Sequence, residues 1–95
     1  MGKLGYRVYV LYSLHDDKLY VGFTTNLKQR LTDHFNGNSK ATAFRRPFRL
    51  LFCEYYLSRR DAVRRERYLK TTAGKRALRI MCHDSLMEIG VTPEG

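Results

Sequence analysis

Two apolar segments separated by only four residues limit the fold more than any other feature of this sequence. The segments YRVYVLYSL (Tyr6–Leu14) and LYVGFT (Leu19–Thr24) are rich in aromatic and β-branched residues, which are typical of strands. The residues between them, HDDK (His15–Lys18), are typical of a turn. A connection this short joins antiparallel neighbours, because parallel strands need a much longer crossover. The sequence therefore predicts an antiparallel hairpin whose first strand, nearly all apolar, is central.

A helix is predicted directly after the hairpin. Thr24 or Thr25 is its expected N-terminal cap, and Gly37, in the segment NGNS, is its expected left-handed C-terminal cap. Apolar residues recur along this helix at i, i+4 and i+8, a spacing that places them on one face. We expect that face to pack on the sheet through Leu27, Leu31 and Phe35.

The second half of the chain predicts a third strand and further helices. FRLLFCEYY (Phe48–Tyr56) is typical of a strand. Ser58 with Asp61 forms a near capping box that opens the helix RDAVRRERYLK (Arg60–Lys70). A second helical piece is predicted at KRALRIMC (Lys75–Cys82), and a last turn at DSLMEIG. The predicted fold class is α+β (mixed α/β): a small three-stranded antiparallel sheet flanked by helices, in the order ββαβαα.

The length of 95 residues allows one domain with a modest core of two packed layers. We expect a single domain over residues 1–95, with its core at about residues 6–81. The C-terminal segment, residues 82–95, is expected to be partly helical and then frayed. No apolar run is long enough for a membrane span, and Arg7 interrupts the apolar stretch that a signal peptide would need. The resulting expectation is a cytoplasmic protein.

The two cysteines, Cys53 and Cys82, form no CxxC pair, so the sequence does not predict a zinc site. A single disulfide between them is the alternative to two free thiols. We expect two reduced thiols, with Cys53 in a buried strand and Cys82 near a helix end.

The charge of the chain favours a polyanionic partner. Its 18 lysines and arginines against 9 acidic residues give a formal charge of +9. Nucleic acid is favoured over an anionic membrane surface. The basic residues concentrate in the second half and are mostly arginines, whose planar fork binds two phosphate oxygens at once. Those expected to bind nucleic acid are Lys40, Arg45, Arg46, Arg59, Arg60, Arg64, Lys70 and Lys75.

Two titratable residues on the predicted helices are candidates for chemistry. Glu66 shares an inward stripe with Ala62 and Leu69, and a buried carboxylate needs a partner or a metal ion. The alternatives are a structural salt bridge to Arg30 or to a neighbouring arginine, and an edge position on a solvated helix. His34 follows Arg30 by one helical turn and is a candidate general base, with an exposed helix histidine as the alternative.

Two tyrosines lie on the neighbouring strands of the predicted hairpin. If Tyr9 and Tyr20 both face the helix, their hydroxyls converge; the alternative is that both are ordinary core tyrosines. Gly22 lies inside the second strand, where a glycine marks either a bulge or a close approach to the backbone.

Taken together, these residues resemble a known pattern. VYV (Val8–Val10) followed by YVG (Tyr20–Gly22), with Arg30, His34 and Glu66 in order behind them, is similar to the motif set of the GIY-YIG endonuclease superfamily. The resemblance is greatest to its small stand-alone bacterial members, related to the nuclease domain of the excision-repair incision subunit.

The resemblance implies a DNA endonuclease that hydrolyses phosphodiester bonds with one divalent metal ion, Mg²⁺ or Mn²⁺. It implies a structure-preferring activity in DNA repair or recombination, with RNA as another partner and a monomer or weak homodimer as the acting species. Tyr9 and Tyr20 would orient or help deprotonate the attacking water, and Arg30 would hold the scissile phosphate. His34 would be base or relay, and Glu66 the only side chain on the metal. Gly22 is counted among the nucleic-acid-binding residues.

This sequence also departs from the family pattern. VYV lacks the glycine of the first motif. Phe23 stands where several members carry a lysine, and Leu78 where some relatives carry an asparagine. The alternatives are therefore a catalytically weak or inactive nucleic-acid-binding module and, third, a protein-interaction domain. For the enzyme, we expect Arg30 and the metal to lower the pKa of a tyrosine, which is otherwise a poor base.

Overall fold

The computed structural model describes residues 3–92. The element order is the predicted ββαβαα, with a further short helix at the end and a 3₁₀ turn, Ala43–Arg45, before the third strand. The strands and helices are β1 Tyr6–Ser13, β2 Leu19–Thr24, α1 Leu27–Asn36, β3 Phe48–Tyr56, α2 Arg59–Lys70, α3 Thr72–Met81 and α4 His83–Glu88. The α+β fold class is confirmed.

The sheet has the order β2-β1-β3 and is antiparallel throughout, so the prediction that β1 is central is confirmed. Tyr9 lies opposite Gly22 on one side and opposite Cys53 on the other. β1 ends at Ser13, one residue earlier than predicted, because the Ser13 hydroxyl accepts the backbone N–H groups of His15 and Asp16 and so starts the turn.

Side chains alternate along β1 and divide the sheet into two packed faces. The first, which we call the valine face, packs against the helices after β3 through Val8, Val10, Tyr12, Val21, Ala62, Leu69, Leu78 and Leu86. The second, the tyrosine face, packs against α1 through Tyr9, Leu11, Phe48, Tyr20, Leu27 and Leu31. The sheet is therefore covered on both faces, with α1 alone on the tyrosine face.

The start and packing of α1 differ from the prediction. Its N-cap is Asn26, not Thr24 or Thr25: the Asn26 side chain accepts the Gln29 N–H at 3.1 Å, and the Thr24 hydroxyl accepts the Asn26 N–H instead. Gly37 is confirmed as the left-handed cap, at φ 79°.

The predicted apolar stripe of α1 is wrong at its third position. Phe35 is 43% exposed, whereas Leu27 and Leu31 pack against the sheet. The fully buried residue of α1 is the polar His34. The helix is therefore rotated so that its last turn presents an imidazole, and not a phenyl ring, to the sheet.

The helices after β3 also begin at residues other than the predicted ones. Ser58 precedes α2 but its hydroxyl makes no capping hydrogen bond, and Asp61 pairs with Arg64 at 2.9 Å. α3 begins at Thr72, three residues before the predicted start, because the Thr71 hydroxyl accepts the Gly74 N–H and caps it. Gly74 lies against α2 so closely that a Cβ there would stand 2.0 Å from the Tyr68 carbonyl oxygen.

Both cysteines are free thiols, as predicted. Cys82 is buried beside the last turn of α3, but Cys53 is only half-buried because β3 is an edge strand, and the prediction of a buried Cys53 is wrong. No helix within residues 3–92 has the length and apolarity needed to cross a bilayer.

Candidate active site

A buried chain of three hydrogen-bonded side chains crosses the tyrosine face. The Tyr9 hydroxyl lies 2.7 Å from His34 Nε2, and His34 Nδ1 lies 2.8 Å from the Thr42 hydroxyl. Tyr9 and His34 are fully buried and Thr42 is 1% exposed. Burying polar groups is costly unless each has a partner, and here both imidazole nitrogens have one. The alternative of an exposed helix histidine is therefore wrong, whereas Tyr9 is a core tyrosine whose hydroxyl is satisfied by His34.

Gly22 makes room for this chain. A Cβ on Gly22 would stand 2.3 Å from both Cζ and Oη of Tyr9, which lies opposite it in the sheet. The glycine therefore marks a close approach and not a bulge; the bulge in the sheet falls between Val10 and Leu11. Because the phenol occupies the space above Gly22, the predicted contact of Gly22 with nucleic acid has no support in this geometry.

Aromatic rings surround His34. Tyr20 and Tyr9 have ring centroids 6.2 Å apart, and Tyr20 approaches His34 edge-on at 5.0 Å. Phe48 packs against His34 at 6.1 Å. Both tyrosines lie on the face that α1 covers, which meets the condition under which their hydroxyls converge. Tyr20 is only half-buried, whereas Tyr9 is not accessible at all, so Tyr20 is the phenol that solvent or a substrate can reach.

The surroundings of Tyr9 and His34 set the protonation states of both side chains. Burial raises the pKa of Tyr9 to about 12, Tyr20 adds to that rise, and Arg30 acts in the opposite direction without overcoming it. The expectation of a lowered tyrosine pKa is therefore wrong for the protein without metal. Burial, with Arg30 nearby, also lowers the pKa of His34, which is neutral at pH 7.

Neutral His34 gives the hydrogen bonds a direction. A neutral imidazole carries one N–H, so it donates at one nitrogen and accepts at the other. With the proton on Nδ1, His34 donates to Thr42 and accepts the hydroxyl of Tyr9. The hydrogen-bond chain can then take up a proton from Tyr9 at Nε2.

Arg30 is a cation close enough to this cluster to act on the pKa of both Tyr9 and His34. It lies one turn before His34 on α1, is half-exposed, and approaches Asp33 only at 3.9 Å. Partial burial would lower its pKa, but Tyr9, Tyr20 and Asp33 raise it overall. Arg30 is therefore a fixed, accessible positive charge beside the two phenols.

No hydrogen bond or ion pair within residues 3–92 joins Glu66 to this cluster. Glu66 lies on α2, whose buried residues pack on the valine face, and its side chain is 20% exposed. Within residues 3–92 its ion-pair partner is Lys70, at 3.1 Å, so the alternative of a salt bridge applies, with a lysine and not Arg30 or another arginine as the partner. It belongs to no group of three or more metal-ligating side chains in the described chain. Mg²⁺ is often held by one or two carboxylates, with waters and substrate phosphates as its other ligands, and a lone glutamate fits that mode.

The predicted nucleic-acid-binding residues differ in how far their charges are already paired and how exposed they are. Arg45 is already engaged: its guanidinium binds Asp16 at 2.6 Å and lowers the pKa of that carboxyl to about 2. Arg64 and Lys70 pair with neighbouring acids on α2 but remain more than half exposed. The others, also exposed, are Lys40, Arg46, Arg59, Arg60 and Lys75. Arg59, Arg60, Arg64 and Arg67 line one groove on α2, of ≈ 320 Å³.

Two residues of the cluster were missed by the sequence reasoning, Thr42 and Phe48. Thr42 lies in the loop after α1, and no periodicity connects a loop hydroxyl with a helix histidine. For Phe48, the sequence predicts only that it is the first residue of a strand. The departures from the family pattern also have an explanation here: Leu78 is a fully buried core residue, and Phe23 stacks on Tyr6 beneath Arg59.

Comparisons with known proteins agree with this geometry. The sequence model of the GIY-YIG catalytic domain matches residues 5–79. A UPF0213 protein of Clostridium perfringens is 35% identical over 82 residues, 85% of this chain and 87% of the relative. A UPF0213 protein of Natronomonas pharaonis is 34% identical over 79 residues, 82% of this chain and 92% of the relative.

A solved structure is also similar. The solution NMR structure of a UPF0213 protein from Bacillus halodurans is 28% identical, with a TM-score of 0.55, over 92% of this chain and 98% of that one. The family model covers most of the sequence, and the tyrosines, the arginine and the histidine expected from the resemblance lie together. The chain therefore belongs to the GIY-YIG family and, within it, to the group of UPF0213 proteins.

Proposed function

We propose that this protein is a metal-dependent endonuclease that hydrolyses phosphodiester bonds in DNA. The observation that carries the proposal is the buried Tyr9–His34–Thr42 chain, with accessible Tyr20 and Arg30 at its outer end. Arg30 approaches Asp33 only at 3.9 Å and keeps an accessible positive charge beside the two phenols, where a phosphate could bind. The alternative, a binding module without catalysis, is an outcome of the experiment below.

Each residue has a role that its surroundings allow. Arg30 binds the oxygens of the scissile phosphate through its fork of N–H donors. Tyr20, the accessible phenol, orients the attacking water. Tyr9 stays protonated at neutral pH because its pKa is about 12, so it acts as a relay and not as a base. His34 is neutral and accepts the proton at Nε2.

The proton transfers balance along this path. As water attacks phosphorus, it gives a proton to Tyr20, whose own proton passes to Tyr9, and the proton of Tyr9 passes to His34 Nε2. The oxygen–phosphorus bond to the leaving nucleotide breaks, and the leaving oxygen takes a proton from solvent. Glu66 would hold Mg²⁺ or Mn²⁺ together with waters and a substrate phosphate oxygen, after its carboxylate leaves Lys70. The bound ion would act as a Lewis acid on the phosphoryl group.

The test is a cleavage assay with end-labelled DNA. Single-stranded, duplex and branched oligonucleotides are incubated with the protein in Mg²⁺, Mn²⁺ or EDTA. We expect cutting in the presence of either ion and none in EDTA. Binding to all three DNAs without cutting in either ion would contradict the proposal and identify a binding module.

The rate should depend on the protonation of His34. Because burial lowers its pKa, we expect an acid limb with a midpoint below the ordinary value of about 6.5. As the pH falls through that midpoint, His34 gains a proton and can no longer accept one, so the rate falls. The measurement is single-turnover cleavage from pH 4.5 to 8, with circular dichroism to show that the fold persists. A rate that does not fall across this range would contradict His34 as the acceptor.

Thr42 is expected to act as a positioning residue through His34. In Thr42→Val, Nδ1–H loses its acceptor inside the core, and a buried donor without a partner costs about 1–3 kcal/mol. We expect cleavage to fall roughly 10- to 100-fold and the acid limb to shift. Thr42→Ser keeps the hydroxyl and should restore both the rate and the pH profile. A valine variant with the wild-type profile would remove Thr42 from the mechanism.

A further inference from the structure

A groove of ≈ 550 Å³ opens beside the buried hydrogen-bond chain. Its lining residues are Phe35, Ala43, Phe44, Arg46, Pro47 and Phe48. Phe35 directly follows His34 and Ala43 directly follows Thr42, and Phe48 packs against His34 at 6.1 Å. The groove and the proposed reaction centre therefore share a wall. A volume of this order is typical of sites that hold small organic groups, about 300–1,000 Å³.

Two aromatic rings in the groove are exposed to solvent. Phe44 is 73% exposed and Phe35 is 43% exposed. Neither ring takes part in any of the aromatic pairs found among residues 3–92, so no other side-chain ring covers their faces. Arg46 supplies a positive charge in the same groove, and its Nε donates to the Ala43 carbonyl at 2.7 Å.

The turn that carries Phe44 is fixed at both ends. Before it, Thr42 is bound to His34 in the core. Behind it, Arg45 binds Asp16 with two hydrogen bonds, at 2.6 and 3.2 Å. Phe44 is therefore an exposed ring held on a rigid turn, which is the arrangement a stacking platform requires.

We propose that this groove is a base-binding subsite, in which Phe44 stacks on one unstacked nucleobase of the DNA strand that is cut. Phe35 forms the opposite apolar wall, and Arg46 lies near the backbone of the same nucleotide. Exposed aromatic rings beside cationic side chains bind bases through their π faces with little dependence on sequence. A base inside a duplex is paired and stacked, so the nucleotide in the groove must be unpaired.

The subsite rests on the proposed function for its place next to the cut, but base binding is measured without cleavage. Fluorescence anisotropy in EDTA compares an oligothymidine strand with strands of the same length that carry an abasic residue at successive positions. We expect wild-type protein to bind the intact strand more tightly than one abasic strand. Phe44→Ala should lose roughly 5- to 150-fold in affinity for the intact strand and much less for that abasic strand.

Matched control variants distinguish stacking on the Phe44 ring from the general effect of removing an exposed apolar side chain. Ile80 is 74% exposed on α3, and Ile80→Ala should leave both affinities unchanged. Phe44→Trp should keep or improve the preference for the intact strand. Equal losses for intact and abasic strands, or no binding of any strand by the wild type, would overturn the subsite. So would a concentration-dependent dimer that Phe44→Ala abolishes, because a second copy would then occupy the groove.

The outcomes also separate this subsite from the nuclease proposal. A base preference that depends on Phe44 in a protein that never cuts DNA would support the subsite and contradict the nuclease. Metal-dependent cutting without any effect of Phe44 on base preference would do the reverse.

Discussion

Glu66→Gln is expected to reduce metal-dependent cleavage by at least about a hundredfold, one of the two largest effects of a single substitution on the proposed reaction. A bound metal ion contributes several kcal/mol of charge stabilisation to phosphoryl transfer. The amide keeps the size of the side chain but loses the charge that would hold the ion. Within residues 3–92, Glu66 belongs to no group of three or more metal-ligating side chains.

A matched control exists on the neighbouring strand. The Glu54 side chain is 24% exposed and pairs with Arg65 at 3.0 Å, and the Glu66 side chain is 20% exposed and pairs with Lys70 at 3.1 Å. Glu54→Gln should therefore leave cleavage near the wild-type rate. DNA affinity in EDTA gives a second readout: Glu66→Gln removes a negative charge and should bind DNA as tightly as wild type or more tightly. Unchanged cleavage by Glu66→Gln would exclude Glu66 as the metal ligand.

Gly22→Ala is expected to have an effect of similar size, and to act through Tyr9. The added Cβ would stand 2.3 Å from Oη and Cζ of Tyr9, which is buried and cannot swing into solvent. Tyr9 must therefore shift, and its 2.7 Å hydrogen bond to His34 is lost. We expect cleavage to fall by about 10²–10⁴, the range for losing proton transfer by a positioned group, and stability to fall by about 1–3 kcal/mol from overpacking.

Two controls make this prediction specific. Gly5→Ala adds a methyl group where no atom lies within 4 Å, so its rate and urea midpoint should match those of wild type. Tyr9→Phe removes the hydroxyl and keeps the ring. Because both substitutions break one hydrogen bond, Tyr9→Phe combined with Gly22→Ala should lose little more activity than the worse single variant. Full additivity, or wild-type activity in Gly22→Ala, would show that the Tyr9–His34 contact is not used.

The strands could be predicted because their composition and short connections leave few alternatives. β2 and β3 begin and end at the predicted residues, and Tyr9 and Tyr20 share one face of the sheet, an arrangement that the sequence left open. In a strand, side chains alternate between the two faces every second residue. This local property decides which side chains share a face.

The burial of His34 could not be predicted, because helical periodicity favours the apolar Phe35 one position later. Tertiary contacts decide the rotation of α1. Tyr9 and Thr42 provide hydrogen-bond partners for both imidazole nitrogens of His34, and neither lies within the helix itself. The rise in the Tyr9 pKa was missed for the same reason, since the extent of burial depends on the whole core. The pairing of Glu66 with Lys70 is an ordinary i, i+4 contact, which the emphasis on arginine overlooked.

The burial of Tyr9 and His34 has a consequence for how inactive descendants of such a protein would be recognised. These two side chains fill the core beneath α1, so their loss would damage folding as well as chemistry. A lineage that abandoned DNA cleavage would still be selected to keep them. Arg30 and Glu66 are partly exposed and contribute little to the core, so they would drift first. Loss of selection for catalysis would therefore appear first as substitutions of Arg30 and Glu66. Tyr9 and His34 would be retained because the fold needs them.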